Sequence, residues 1–133
     1  MLTREQLLAS SDDQYMNRAQ LDFFRSLLLQ EKAAIEESVA LAHADLAVQE
    51  SAADPADRAS QEEARVTLLR TRERETNLLH KIEATLLRID EGDFGFCSAT
   101  GEPIGLERLL ARPTTTLSFE AQTRKENRER QYA

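Results

Sequence analysis

Two stretches of this chain, Ala19 to about Val48 and Pro55 to about Glu91, run for many helical turns without a glycine or an internal proline. In the first, Leu21, Phe24, Leu28, Ile35, Val39, Ala42 and Leu46 recur at steps of three, four or seven, which is one continuous helical face. In the second, Leu79, Ile82, Leu86 and Ile89 repeat a heptad pattern. Two such helices joined by a short polar link are expected to fold back on each other. At a rise of about 1.5 Å per residue they would make a hairpin on the order of 45 Å long. The same spacing also suits core helices of a compact bundle, and periodicity does not separate the two.

The link reads Asp54-Pro55-Ala56-Asp57-Arg58-Ala59-Ser60. Asp54 can cap the second helix, Pro55 suits its first position, and Asp57 would meet the positive end of the helix dipole. Ser60-Gln61-Glu62-Glu63 offers a second capping box if the helix starts later. Ordinary helix chemistry therefore accounts for these residues. A probe with acid at its tip accounts for them equally. Between Leu69 and Leu78 the second helix has no apolar side chain, running Arg70-Thr71-Arg72-Glu73-Arg74-Glu75-Thr76-Asn77. This band is either a solvated face of mutually paired charges or a surface on which arginines grip an acidic partner.

Residues 1–18 form an N-terminal arm, with the apolar pair Leu7-Leu8 followed by Ser10-Ser11-Asp12-Asp13, a helix-breaking and capping run. The hairpin occupies 19–91, with its tip at 49–59. Beyond it, glycines and aromatics alternate from Gly92 through Phe94-Gly95-Phe96-Cys97 to Gly101 and Gly105, which predicts a small β-hairpin. Leu106, Leu109 and Leu110 supply a helical turn, broken at Arg112-Pro113-Thr114, and a small knob results over 92–118. Residues 119–133 read as a polar C-terminal helix, packing mainly through Phe119. The fold class is mostly α, a long antiparallel coiled-coil hairpin with a small globular C-terminal knob and a final helix.

A formal charge of −7 excludes a surface that wraps nucleic acid, because phosphate binding needs concentrated cations, so no direct DNA binding is expected. No segment is apolar and long enough for a bilayer span or a secretory signal, and the expected location is the cytoplasm. With one cysteine, Cys97, the chain can form neither an internal disulfide nor a cysteine-only metal cage.

Taken in order, Asp54-Pro55-Ala56-Asp57-Arg58-Ala59, Arg70 to Glu75, Phe94-Gly95-Phe96-Cys97, and Gly105-Leu106 through Ala111-Arg112-Pro113-Thr114 resemble the DksA family over nearly the whole chain. These are DnaK-suppressor proteins that bind bacterial RNA polymerase through its secondary channel. The resemblance implies a non-enzymatic transcription regulator that alters the lifetime of promoter open complexes together with ppGpp, an effector shared with the polymerase. It implies that Asp54, Asp57 and Ala59 face the polymerase active site, that Arg70 and Arg74 dock on the channel rim, and that Leu78, Lys81 and Arg112 line the ppGpp site. A lysine of that site is Gln122 here, with Arg124 and Lys125 close by in sequence. It also implies a monomer.

Zinc-binding members of the family carry two cysteine pairs, and the matching positions here are Cys97, Thr100, Ser118 and Ala121. Hydroxyls and a methyl do not replace thiolates, and neither His43 nor His80 lies near enough in sequence to help. The chain therefore resembles a zinc-independent, cysteine-poor branch, with no metal and no tightly held cofactor. Phe94, Phe96, Ile104, Leu106, Leu109, Leu117 and Phe119 are expected to hold the knob by packing, at roughly 1.5–3 kcal/mol for each buried side chain. Cys97 is expected to be inert, since Asp93 and Glu102 offer its thiolate no electrostatic help. Two other readings of the residues stay open: a transcript-cleavage-stimulating factor whose tip acids help hold a polymerase magnesium, and a coiled-coil adaptor unrelated to transcription.

Overall fold

The computed structural model describes residues 1–52 and 57–132, without the side chains of 49–52. Five α-helices follow in order: α1 (Arg4–Leu8), α2 (Arg18–Ala52), α3 (Arg58–Glu91), α4 (Leu106–Ala111) and α5 (Phe119–Tyr132), with a 3-10 turn at Asp12–Gln14 after α1. The fold is mostly α, as the sequence indicates. The chain divides into two compact units, one made of Met1–Leu28 with Glu83–Ala133, the other of Leu29–Ile82.

Within Leu29–Ile82, the later part of α2 runs antiparallel to the early part of α3. Ser38 of α2 donates to Glu75 of α3 at 3.5 Å, while Ala42 and Leu46 share a groove with Ser60, Ala64 and Leu68. Ile35, Val39, Ala42 and Leu46 of α2 are partly buried, as their spacing predicts, and Leu68, Leu79 and the fully buried Ile82 answer them on α3. Where α3 lacks apolar residues, Thr71 and Glu75 turn inward instead, so the seam becomes polar and not empty. That leaves Arg70, Arg72 and Arg74 exposed.

The other unit holds the larger core. Phe24 and Leu28 of α2 are fully buried with Leu7 of the arm and Leu109 of α4; Ile89 and Phe94 join them. Phe24 and Phe94 meet at 5.2 Å between ring centroids. Arg25 and Asp90 form an ion pair between α2 and α3 at this end.

The arm clasps the knob at Tyr15. Its hydroxyl donates to the Gly95 carbonyl at 2.5 Å and accepts from the Gly105 N–H at 3.0 Å. Its ring meets Phe96 edge-on at 5.6 Å. Burial raises the Tyr15 pKa above its ordinary 10, the backbone donors of Gly105 and Ile104 opposing the shift. The neutral hydroxyl required to donate to Gly95 is thereby favoured.

Three expectations are corrected here. The β-hairpin expected after Gly92 contracts to a single antiparallel bridge, Phe96 with Pro103, flanked by the Cys97 N–H to Glu102 carbonyl and Ile104 N–H to Gly95 carbonyl bonds, because α4 begins at Leu106 and takes that side of the chain out of the ladder. Phe119, expected to anchor the last helix, is 71% exposed; Ala121 is the buried residue of α5. Finally, α3 begins at Arg58, which puts Asp57 just ahead of it and Ser60-Gln61-Glu62-Glu63 inside the helix rather than at its cap. The capping role read for Asp54 lies outside the described residues.

Candidate functional site

Of the three tip residues, Asp54 lies outside the described residues, while Asp57 and Ala59 are both exposed at the start of α3. Further along the helix, Arg70, Arg74, Leu78 and Lys81 are spaced by four, four and three residues, so they share one face of α3. All four are exposed, Leu78 at 39%. The two positions expected to dock and two of the three expected to hold the effector thus lie on one stripe, cationic with an apolar interruption. Arg74 is held along the helix by the Thr71 hydroxyl at 3.3 Å. No carboxylate engages Arg74 among the described residues. Arg112 belongs to the other unit, exposed at the C-cap of α4, where its N–H donates to the Arg108 carbonyl at 2.8 Å. Gln122, at the lysine position, donates to Glu126 along α5.

Cys97, Thr100, Ser118 and Ala121, expected to stand at degenerate metal positions, lie close together around the turn and the start of α5, and the three other than the cysteine have tasks of their own. Ser118 accepts the Ala121 N–H at 3.2 Å, which is how an N-cap satisfies one of the orphan donors of a helix start, here that of α5. Thr100 accepts the Glu102 N–H at 3.3 Å and so braces the turn through Gly101. Ala121 is buried. Cys97, 3% exposed, remains at the centre. The Thr100 hydroxyl, first, and the backbone N–H groups of Ser118, Ala99 and Thr100 donate to its sulfur and lower its pKa from 9.0 to about 6, against the desolvation that raises it.

The expectation of an ordinary thiol is therefore overturned in one respect. Charged neighbours give no help, but neutral donors do, and the lowered pKa comes without the exposure that a reactive cysteine requires. This donor set does not fit zinc. One thiolate, two hydroxyls already engaged with backbone N–H groups, and a methyl cannot supply four soft ligands in a tetrahedron.

Several residues that matter here carried no sequence signal. Arg88 braces the knob through the Asp93 and Phe96 carbonyls at 3.2 and 3.1 Å. Arg108 does the same through the Leu117 carbonyl at 2.9 Å. Both would pass, in sequence, for solvent-facing helix charges.

A helical pair with an exposed cationic stripe, and a small knob around one buried cysteine, define a narrow class of proteins. Residues 20–89 match the family described as DnaK suppressor protein DksA, N-terminal domain. Residues 92–127 match the prokaryotic dksA/traR C4-type zinc finger. The chain belongs to the DksA family. It is 48% identical over 123 residues to the RNA polymerase-binding transcription factor DksA of Caulobacter vibrioides, covering 91% of this chain and 86% of that protein. To the protein of the same name from Escherichia coli it is 42% identical over 126 residues, covering 91% and 81%. The structure of transcription factor DksA2 from Pseudomonas aeruginosa is similar at a TM-score of 0.89 and 48% identity, covering 96% of this chain and 99% of that one. These relatives are named as transcription factors, not as enzymes.

Proposed function

We propose that this protein binds bacterial RNA polymerase in its secondary channel and regulates promoters together with ppGpp, without a bound zinc ion. The observation that carries the reading is the exposed stripe of α3, in which Arg70 and Arg74 continue into Leu78 and Lys81. Family members are inferred to dock and to share the effector through these positions, and the kinship extends over most of the chain. Asp57, exposed at the start of α3, supports a tip that acts by charge and shape on elements around the polymerase active site. Nothing covalent is required of it. In this reading Arg112 supplies a further cation for the effector together with polymerase groups.

Zinc independence is supported by the donor chemistry at Cys97, Thr100, Ser118 and Ala121. Capping, turn bracing and packing now occupy the positions that would otherwise carry thiolates.

In vitro transcription from a ribosomal promoter, with metal-free protein and with or without ppGpp, tests the proposal. The wild type represses, and more strongly with ppGpp. The Asp54→Asn, Asp57→Asn double variant still competes for polymerase but does not repress, whereas Arg74→Ala binds more weakly and recovers at excess protein. Repression by the double variant at the wild-type level would overturn the tip mechanism. Shortened RNA from a backtracked complex would instead favour a cleavage factor.

A further inference from the structure

The arm, the knob and the first residue of α5 line a hollow of about 710 Å³. Ile104, Leu8, Pro103, Leu106 and Phe119 give it apolar surface. Two of these are far from covered, since Phe119 is 71% exposed and Leu8 45%. Most polar groups of the lining are already engaged. The Tyr15 hydroxyl is held by Gly95 and Gly105, that of Ser10 by the Gln6 carbonyl and that of Ser11 by Asp13. Arg108, the one cation of the lining, is turned to the Leu117 carbonyl and the Thr115 hydroxyl at 2.9 and 3.4 Å. Asp12 and Glu107 differ. Both residues are exposed, and neither carboxylate has a hydrogen bond or ion pair among the described residues. An occupant therefore meets apolar surface edged by free negative charge.

We propose that this hollow is a docking groove for a peptide segment of another protein, one that presents apolar side chains a helical turn apart with lysine or arginine beside them. Phe119 and Leu8 stand too far out for a small molecule within the hollow to cover them, whereas a chain running across it does so. One apolar side chain of the segment fills the hollow and its neighbour covers Phe119, the way an amphipathic helix is read by a groove. The adjoining cations meet Asp12 and Glu107, and this pairing sets orientation and partner choice more than strength. An acidic segment would instead bring like charges together at both carboxylates. None of Arg70, Arg74, Leu78, Lys81 and Arg112 lines this hollow. The groove is separate from the positions read for polymerase and effector, and it can be tested on the protein alone.

The probe is a fluorescent amphipathic peptide of leucine and lysine, with its leucines on one helical face, titrated with the full-length protein and followed by anisotropy. The expected result is saturable binding that weakens roughly tenfold or more in Phe119→Ser, as loss of an aromatic anchor predicts, and about two- to fivefold in Asp12→Asn with Glu107→Gln, as exposed charges predict. Glu129→Gln, an equal loss of charge outside the lining, keeps the wild-type affinity. Because Phe119 is exposed, its replacement leaves the melting temperature unchanged, and Leu8→Ser weakens binding from the arm side of the same hollow. Serines in place of the peptide's leucines, or glutamates in place of its lysines, abolish binding. Failure of the leucine and lysine peptide to bind, wild-type affinity in both Phe119→Ser and Leu8→Ser, an equal loss in Glu129→Gln, or equal binding of the serine peptide would overturn the proposal. So would a dimer in sedimentation that Phe119→Ser separates, because the hollow would then belong to a second copy of this chain.

Discussion

Replacing Tyr15 with Phe removes one oxygen and leaves the ring against Phe96. That oxygen joins two glycines of the knob to the arm, donating to the Gly95 carbonyl and accepting from the Gly105 N–H. Gly95 is buried and Gly105 partly so, and water does not replace the lost partner freely at either. A net hydrogen bond contributes about 0.5–1.5 kcal/mol, and a buried group left unpaired costs roughly 1–3 kcal/mol. Two bonds lost at a half-buried site should cost about 2 kcal/mol, with the edge-on aromatic contact retained. Native-state hydrogen exchange reads this directly. The Gly105 amide should exchange on the order of ten- to a hundredfold faster in Tyr15→Phe, while amides of α2 and α3 within Leu29–Ile82 keep their protection. An unchanged Gly105 exchange rate would show that the hydroxyl does not hold the knob, and the arm's contribution would then rest on Leu7 and the rings alone.

The other predictions concern the same unit. Cys97 has a folded pKa of about 6 against 9.0 for an ordinary thiol, so its contribution to stability is full above pH 9, declines as pH falls, and is gone below about pH 6. Denaturation across that window should show stability rising with pH, and Cys97→Ser should flatten the rise; an unchanged slope would mean that the sulfur is not stabilised as a thiolate. Gly95→Ala should cost about 1–3 kcal/mol, since Gly95 has φ +92° and a Cβ there would lie 2.7 Å from Met16 Cγ and Sδ; a melting temperature equal to wild type would contradict this. Phe94→Ala, at a residue 2% exposed against Phe24, should cost about 3–5 kcal/mol in chemical denaturation. Extended treatment with a zinc chelator should leave the melting temperature unchanged, and a fall of several degrees would show a structural metal.

The knob shows where reading the sequence stops. That Thr100, Ser118 and Ala121 are poor zinc ligands follows from their chemistry alone. What holds the knob together does not, because those contacts are made across the chain: the Tyr15 hydroxyl reaches a carbonyl 80 positions away. Nor could the composition around Cys97 reveal its lowered pKa, which comes from a hydroxyl and three N–H groups whose directions are set by the turn and by the start of α5.

Phe119 is the clearest failure of residue-by-residue reading. Hydrophobicity marked it as an anchor, but it opens α5 on the side away from the core, and the helix turns Ala121 inward instead. Conversely, once α3 is formed, Arg70, Arg74, Leu78 and Lys81 fall on one face, since any α-helix places residues three and four apart together.

The amino-acid sequence by itself determined the two long helices, their inward faces and the poor ligand chemistry of Thr100, Ser118 and Ala121. Each of these is a property of local spacing or of side-chain chemistry. Only the tertiary structure decided which polar groups meet: Ser118 as the cap of α5, Arg88 and Arg108 as braces, and Thr71 and Glu75 in the seam. Such pairings depend on where distant segments come to rest, and helical periodicity carries no information about that.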